Sequence, residues 1–538
     1  MKRRHAYVVL AGLCVGLLLG VTFVSAQEIV NGSRVGVPQD WSQRHIVFSR
    51  AALLRHPNLL DQEPRVLHQA IQRWQSPNSN IFHGADPAQA RLAAGSNHRD
   101  WNVVLRGRLA PDIFPAKYSF DPAAPPSCAN DYVVFGLNNA GVTGGAANLV
   151  AFNNLYAGTG GLCGGAPSVL FAYNVTTVAG GHVITSPVLS VDGTKIAFVE
   201  SAGTSAIFHV LTWTAGQGGI RAAAAPAMTS LTFSAAASSS SSSPWVDYNA
   251  DVAYLGADNG RVYKITGVFR GTPALAGAPW PVTVSAGFHL TPPVLDKNLG
   301  MLMAGSANGN LYQINTTTGG LKTLVIGKGT NHGILAAPIV DVTNGTTFVV
   351  TANDGTSGVL VEADTATLAQ LAKARIGLAS ASGTAVSLFD PAFSDSYFTN
   401  PSNGVIRLCG TGAADITPWQ YAFGFSGNIM QTTPSFSQQL LTSAAARCTG
   451  WTEFFNPNVN GGTDFFFFGL TQDCTGTGFA GGCVVARTSN TTLTKATLNG
   501  GPSGIVVDNY STAGQASSIY LTAGRLNTAY KFTQNGLQ

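Results

Sequence analysis

The chain has 538 residues, with 30 Lys and Arg against 26 Asp and Glu, a formal charge of +4 and 10% charged residues. So small a net charge excludes a surface field that gathers nucleic acid or anionic membrane non-specifically. Apolar residues at 45% exclude generic disorder, and 62 glycines favour short strands and tight turns over helices.

The chain opens on Lys2, Arg3 and Arg4, continues through an apolar stretch from Ala6 to Val24, and reaches Val24-Ser25-Ala26 before Gln27. A basic start, an apolar middle and small residues at a cleavage point predict an export signal over residues 1–26. Its removal leaves 27 basic and 26 acidic residues. No later stretch reaches the roughly 18 uninterrupted apolar residues of a membrane span, so no transmembrane segment is expected after signal cleavage. The expected location is secreted or periplasmic.

Residues 27–100 read as an irregular N-terminal arm, interrupted by Pro57, Pro64, Pro77 and Pro87. Glu63 to Trp74 predicts one short helix, with Pro64 at an acceptable start. Leu67, Ile71 and Trp74 share a face of it, which predicts a collar packed on the body of the protein.

From residue 101 onward one pattern recurs. An extended run starts near a Pro and often ends in Asp, a second run reaches a Gly or Asn/Asp-Gly turn, and a third run follows. The clearest copy is Pro293-Val294-Leu295-Asp296, then GMLMAGSANG, then NLYQINT from Asn310. Further copies start at Ser186, Pro244, Ala337 and Ser503, and less regular ones at SLFDPAF, with SYFTNPSNG and VIRLCG as its second and third runs, and at TEFFNPN. A first copy runs AKYSFD, DYVVFGL and then either ANLVAF or VLFAYNVT. These make eight units, at intervals of roughly 45 to 70 residues, the spacing of a repeat architecture.

Each unit supplies three strands and no long amphipathic helix separates them, so small sheets must bury their faces by stacking radially. The fold predicted over 101–538 is an all-β, eight-bladed β-propeller, with seven blades as the alternative. The last unit lacks an outer strand, and WNVVLRG from Trp101 is the candidate to close the ring. Arg221 to Pro244, with the serine run Ser238–Ser243, reads as a mobile loop within a blade. Other long loops are expected around 138–165, 367–384 and 424–446.

Setting aside Cys14 in the signal, six cysteines remain, an even number that suggests disulfides in an exported chain. Sequential pairing is the simplest of the fifteen possibilities: Cys128 with Cys163, Cys409 with Cys448, and Cys474 with Cys483. No C-x-x-C spacing points to a metal instead.

Asp192, Asp247, Asp296, Asp341 and Asp508 recur at one place in the unit, which suits a turn role better than catalysis. Among His83, His98, His182, His209, His289 and His332, three sit just before a unit's first strand: His182, His289 and His332. If they converge they are the weak candidates for a metal site; otherwise they bond loops between blades. Trp213, Trp245, Trp280, Trp419 and Trp451 suit either sugar stacking or packing between blades. No G-x-S-x-G elbow, H-E-x-x-H pair or G-K-[ST] phosphate loop occurs, and no catalytic residue is assigned.

The runs A-D-N-G-R-V-Y-K-I from Ala257 and S-A-N-G-N-L-Y-Q-I from Ser306 are similar to the D-G-x-[LV]-[YV]-A-[LI] core of known propeller repeats. On these the chain resembles the outer-membrane-assembly and quinoprotein-dehydrogenase class, and a secreted propeller family of bacteria. The quinoprotein members imply a bound quinone, calcium, a catalytic Asp and adjacent disulfide-linked cysteines. This chain has no adjacent Cys pair, and Val-Tyr-Lys or Leu-Tyr-Gln follows its turns in place of Gly-Lys-x-x-Trp. No cofactor is therefore expected, with quinone disfavoured and calcium left open.

The expected function is a secreted, non-catalytic binding or scaffold protein. It would act as a monomer that presents propeller loops to a protein, glycan or cell-envelope component and binds no nucleic acid. The alternative is an extracytoplasmic hydrolase, lyase or oxidoreductase with its site over the central channel.

Overall fold

The computed structural model describes residues 29–49, 63–73 and 97–534, apart from short gaps of which 380–387, 475–480 and 509–514 are the longest. The predicted signal, Trp74, His83 and His332 lie outside the described residues. Eight sheets of four or five strands follow one another along the chain, antiparallel throughout except for one short parallel pair. They form an eight-bladed β-propeller, and seven blades are excluded.

The blades start at Ala116–Ser119, Val188–Leu189, Trp245–Asp247, Val294–Asp296, Ile339–Asp341, Ala392–Phe393, Thr452–Asn456 and Val506–Asp508. These first strands touch one another between neighbouring blades, as blade 4 touches 5 and blade 8 touches 1. They therefore ring the central channel, and each blade runs outward from them. The strands behind them are almost wholly apolar where they stack. Phe198 in blade 2, Leu302 in blade 4, Phe348 in blade 5 and Phe467 in blade 7 are each fully buried.

The ring closes as expected from the last unit. Strand Asn97–Val104 pairs antiparallel with Thr528–Gln534 and becomes the outer strand of blade 8. Buried ion pairs reinforce the seam. Lys531 Nζ lies 2.5 Å from Asp100 Oδ2, and Lys117 of blade 1 lies 2.9 Å from Asp508 of blade 8. Both termini thus supply one blade, which leaves no free edge between the first and last units.

Most blades carry a fourth strand that the sequence pattern does not announce. Gln370–Leu378 and Phe436–Gln439 are outer strands in stretches expected to be loops. An outer strand has one face in water, so its residues lose the apolar signature; four of the five side chains of Leu321–Val325 are exposed. A run expected to be a strand in blade 6, SYFTNPSNG, folds instead as helix Asp395–Thr399 and a single turn Pro401–Asn403. There the Asn400 side chain caps the turn and Pro401 starts it.

The serine run corrects a second expectation. Arg221–Pro244 is not a mobile loop. Ala227–Ser234 is the outer strand of blade 2, and Ser238, Ser240, Ser242 and Ser243 are buried. Ser240 Oγ donates to the Gly256 carbonyl at 2.7 Å, and Ser243 Oγ accepts the Ser186 N–H at 2.8 Å. Ser242 Oγ accepts the Gly256 N–H at 2.9 Å and donates to the Thr291 carbonyl at 3.3 Å. A low-complexity stretch therefore bonds blades 2, 3 and 4 together.

Ser242 belongs to a recurrent device. A hydroxyl just before the first strand accepts an N–H from the second strand at Thr185–Val199, Ser242–Gly256, Thr291–Gly305, Thr449–Gly469 and Ser503–Thr522. Replacing Ser242 by Ala leaves a buried N–H without an acceptor, so the expected loss of stability is about 1–3 kcal/mol. Ser241→Ala, at an exposed neighbour, is expected to stay within about 0.5 kcal/mol of the parent. Denaturant midpoints of the two variants check both outcomes.

Candidate functional site: a channel filled by the chain itself

A propeller's first strands leave an axial channel, the natural place for a pocket. Here the N-terminal arm enters it. Val37–Gln39 pairs antiparallel with the first strand of blade 1. Ile46–Val47 pairs in parallel with the first strand of blade 5. Blades 1 and 5 face each other across an eight-membered ring, so residues 37–47 span its diameter. Between them Asp40 caps a tight turn, Trp41–Arg44, by accepting the Ser42 N–H at 2.9 Å.

The predicted helix forms over Pro64–Arg73, and it too lies in the channel instead of packing as a collar. It spans the other diameter. At its start, Arg65 is fully buried and donates to the Val246 carbonyl of blade 3 at 2.9 Å. The same guanidinium pairs with Glu63 at 2.8 Å and lies 4.3 Å from the Trp245 ring centre. At its end, Arg73 binds Glu453 of blade 7 at 2.5 Å and Asp395 of blade 6 at 3.1 Å, over the Phe398 ring. Gln69 ties helix to strand, donating to the Ile46 carbonyl at 2.6 Å.

Arg44 completes the plug. It donates to the Trp451 carbonyl at 2.8 Å and to Thr452 Oγ1 at 2.9 Å, and pairs with Asp390. Three arginines thus reach blades 3, 6 and 7, while strand pairing holds blades 1 and 5. Lys297 of blade 4 adds a longer contact of 3.6 Å to Glu63. Burial and the neighbouring guanidinium of Arg44 hold His45 well below its ordinary value. Burial, Arg73 and Lys117 likewise lower His68 to about 3. Both plug imidazoles are neutral.

Among the described residues a cavity of about 80 Å³ lies beside the plug, between it and blades 5 to 8. Ligand pockets begin near roughly 300 Å³, so this space suits a few waters and is too small for a quinone or a sugar. The buried side-chain amides of Gln39 and Gln43 line it and have no protein partner among the described residues.

Of the three histidines weighed for a metal, His332 lies outside the described residues, and His182 and His289 have separate partners. His182 Nδ1 contacts the Gly180 carbonyl at 2.8 Å, and His289 Nδ1 lies 2.7 Å from Asp258 with its side chain 61% exposed. His209 is buried against Glu200 in blade 2, and His98 sits in the closing strand opposite Thr533. No cluster of three or more His, Cys, Asp or Glu fit to hold a metal occurs among the described residues.

The recurrent aspartates cap turns: Asp247 accepts from Asn249 and Ala250, Asp296 from Asn298 and Leu299, and Asp341 from Thr343 and Asn344. Asp508 instead holds Lys117. Trp245, Trp280 and Trp451 are buried, and Trp213 and Trp419 are half-buried with their N–H groups bonded to Gly193 and Thr417. The disulfides are Cys128–Cys163, Cys409–Cys448 and Cys474–Cys483, the sequential pairing. The plug itself escaped sequence reasoning. Its one signal was a set of arginines, at 44, 65 and 73, in an otherwise charge-poor chain.

Among solved structures the Dos1 propeller resembles this chain with a TM-score of 0.51 at 10% identity, over 81% of this chain and 96% of that one. The likeness is one of fold. BamB from Moraxella catarrhalis is similar at 12% identity and a TM-score of 0.47, over 81% of this chain and 100% of that one. Sqt1 from Saccharomyces cerevisiae is similar at 11% identity and 0.48, over 82% and 99%. No family model and no curated protein matches the chain.

One carboxyl outside the plug titrates near neutrality. Burial, with a smaller push from Asp341, raises Glu362 of blade 5 from 4.5 to about 7, against the bond it accepts from the Met430 N–H. Its stabilising contribution is complete below 4.5 and is lost as pH rises through about 7. Glu362→Gln is expected to remove up to about 3 kcal/mol of that decline, read from denaturant midpoints of both proteins across the interval. Arg73→Ala strands Glu453 in the channel and is expected to cost about 3–5 kcal/mol. The same midpoints at one fixed pH test it.

Proposed function

We propose that the chain is an extracytoplasmic binding scaffold, which presents the loops of a rigid propeller to a protein, glycan or cell-envelope partner. The observation that carries this reading is the plug. Strand Val37–Gln39, strand Ile46–Val47 and helix Pro64–Arg73 occupy the axis where the enzymatic alternative would put its pocket. Recognition then falls to the rims and outer edges of the blades.

Two disulfides bear on those rims. Cys128–Cys163 ties the first-to-second and third-to-fourth strand connections of blade 1, and Cys409–Cys448 ties blade 6 to the segment entering blade 7. Loops held in place lose little entropy on binding, which favours affinity from a modest contact area. The predicted export signal and the disulfides support a location outside the cytoplasm. Among the described residues no helix is long and apolar enough to cross a membrane.

The test is capture. Mature protein immobilised on resin and exposed to a cell-envelope extract is expected to retain a partner that excess free protein displaces. Reduction of the disulfides is expected to weaken that retention. No competable partner, together with turnover of a small molecule abolished by substitutions lining the cavity beside the plug, would sink the scaffold reading.

A further inference from the structure

Blade 2 holds a second arrangement that the scaffold reading does not use. Its strands Lys195–Ser201, Ala206–Thr212 and Ala227–Ser234 lie side by side. Their register sets His209 directly opposite Ser230 and places Glu200 diagonally across from His209. His209 Nε2 lies 2.8 Å from Glu200 Oε2, and His209 Nδ1 lies 2.9 Å from Ser230 Oγ. The Glu200 and His209 side chains are fully buried, whereas Ser230 is exposed on the outermost strand.

The direction of each bond follows from the partners of Glu200. Its carboxylate also accepts the Thr177 N–H at 2.8 Å, the Val178 N–H at 3.1 Å and the Thr177 hydroxyl. Burial raises this carboxyl, but the bonds from His209 and Thr177 outweigh it and hold it below its ordinary value. An ionised carboxylate only accepts, so His209 must carry its proton on Nε2. An imidazole that carries its single proton on Nε2 has a bare Nδ1, and Ser230 Oγ at 2.9 Å is placed to donate to it. Gly181 helps to seat the group, because a Cβ there would overlap the Glu200 carboxylate.

A serine hydroxyl donating to an imidazole that is itself oriented by a buried carboxylate is the arrangement that activates a nucleophile. We propose that Ser230 is a reactive nucleophile, with His209 as its base and Glu200 as the positioning carboxylate, and that it accepts acyl groups from small esters. In the first step Ser230 Oγ bonds to the ester carbonyl carbon while its proton passes to His209 Nδ1. The carbon–alkoxy bond then breaks, and the leaving oxygen takes that proton from Nδ1. Water repeats the sequence on the acyl-serine, releasing the carboxylic acid and returning the proton to Ser230. Because the outer strand faces open water, small unhindered esters fit this site and long chains gain nothing from it. The site lies on the outer edge of blade 2, away from the channel, so it stands or falls separately from the scaffold reading.

A fluorophosphonate probe tests the nucleophile on the full mature protein, with adducts located by intact mass and peptide mapping. A single adduct at Ser230 is expected, forming at least tenfold more slowly in His209→Gln and Glu200→Gln and absent in Ser230→Ala. Hydrolysis of p-nitrophenyl acetate is expected to fall in the same order. Ser230 is exposed, so its Ala variant should keep the parent thermal midpoint. Should the buried His209 or Glu200 variants unfold, Ser230→Cys still reports on the pair: iodoacetamide is expected to alkylate it at least tenfold faster in the folded than in the urea-unfolded chain. No adduct on the folded protein, or equal labelling and alkylation in folded and unfolded chains, overturns the proposal.

Discussion

Eight first strands bring their edges to one axis, and the backbone groups on those edges must find partners there. The N-terminal segment meets part of that demand by pairing with blades 1 and 5 at opposite ends of a diameter. Much else depends on this contact. It draws helix Pro64–Arg73 into the channel, and it lets arginines reach blades that are far apart along the chain. Arg44, for example, lies 346 residues from its partner Asp390.

The axis is thus held by polar and ionic groups, while the apolar core lies between the blades. Buried charges are tolerated only when paired and hydrogen-bonded, and the plug's arginines meet that condition through carboxylates, carbonyls and aromatic faces together. Removing one partner leaves a charge stranded, which makes the channel a sensitive part of the fold. Packing between blades is more forgiving, since many apolar contacts share the load.

The two regions also differ in what they can do. On the scaffold proposal, a filled axis leaves recognition to the rims and edges of the blades. The Glu200–His209–Ser230 chain sits at such an edge, where strand register alone sets three polar side chains in line. No local motif marks that chain, because its members come from three successive strands and are joined only by pairing.

The sequence by itself determined the blades. Eight copies of one strand pattern, turns at Asp-Asn-Gly and Asn-Asp-Gly, and a last unit short of a strand were enough to place the ring and its closure by WNVVLRG. These features are local, since each apolar strand must be buried wherever it lies. Outer strands such as Gln370–Leu378 stayed hidden because a half-solvated strand carries little apolar signal. Ser238–Ser243 was misread because hydroxyls bond equally well to water and to buried backbone, and composition does not say which. Only the tertiary structure decided that the N-terminal arm fills the channel. The arm's partners, Lys117, Val246, Asp390 and Glu453 among them, are scattered over the whole chain and meet only when the ring has closed.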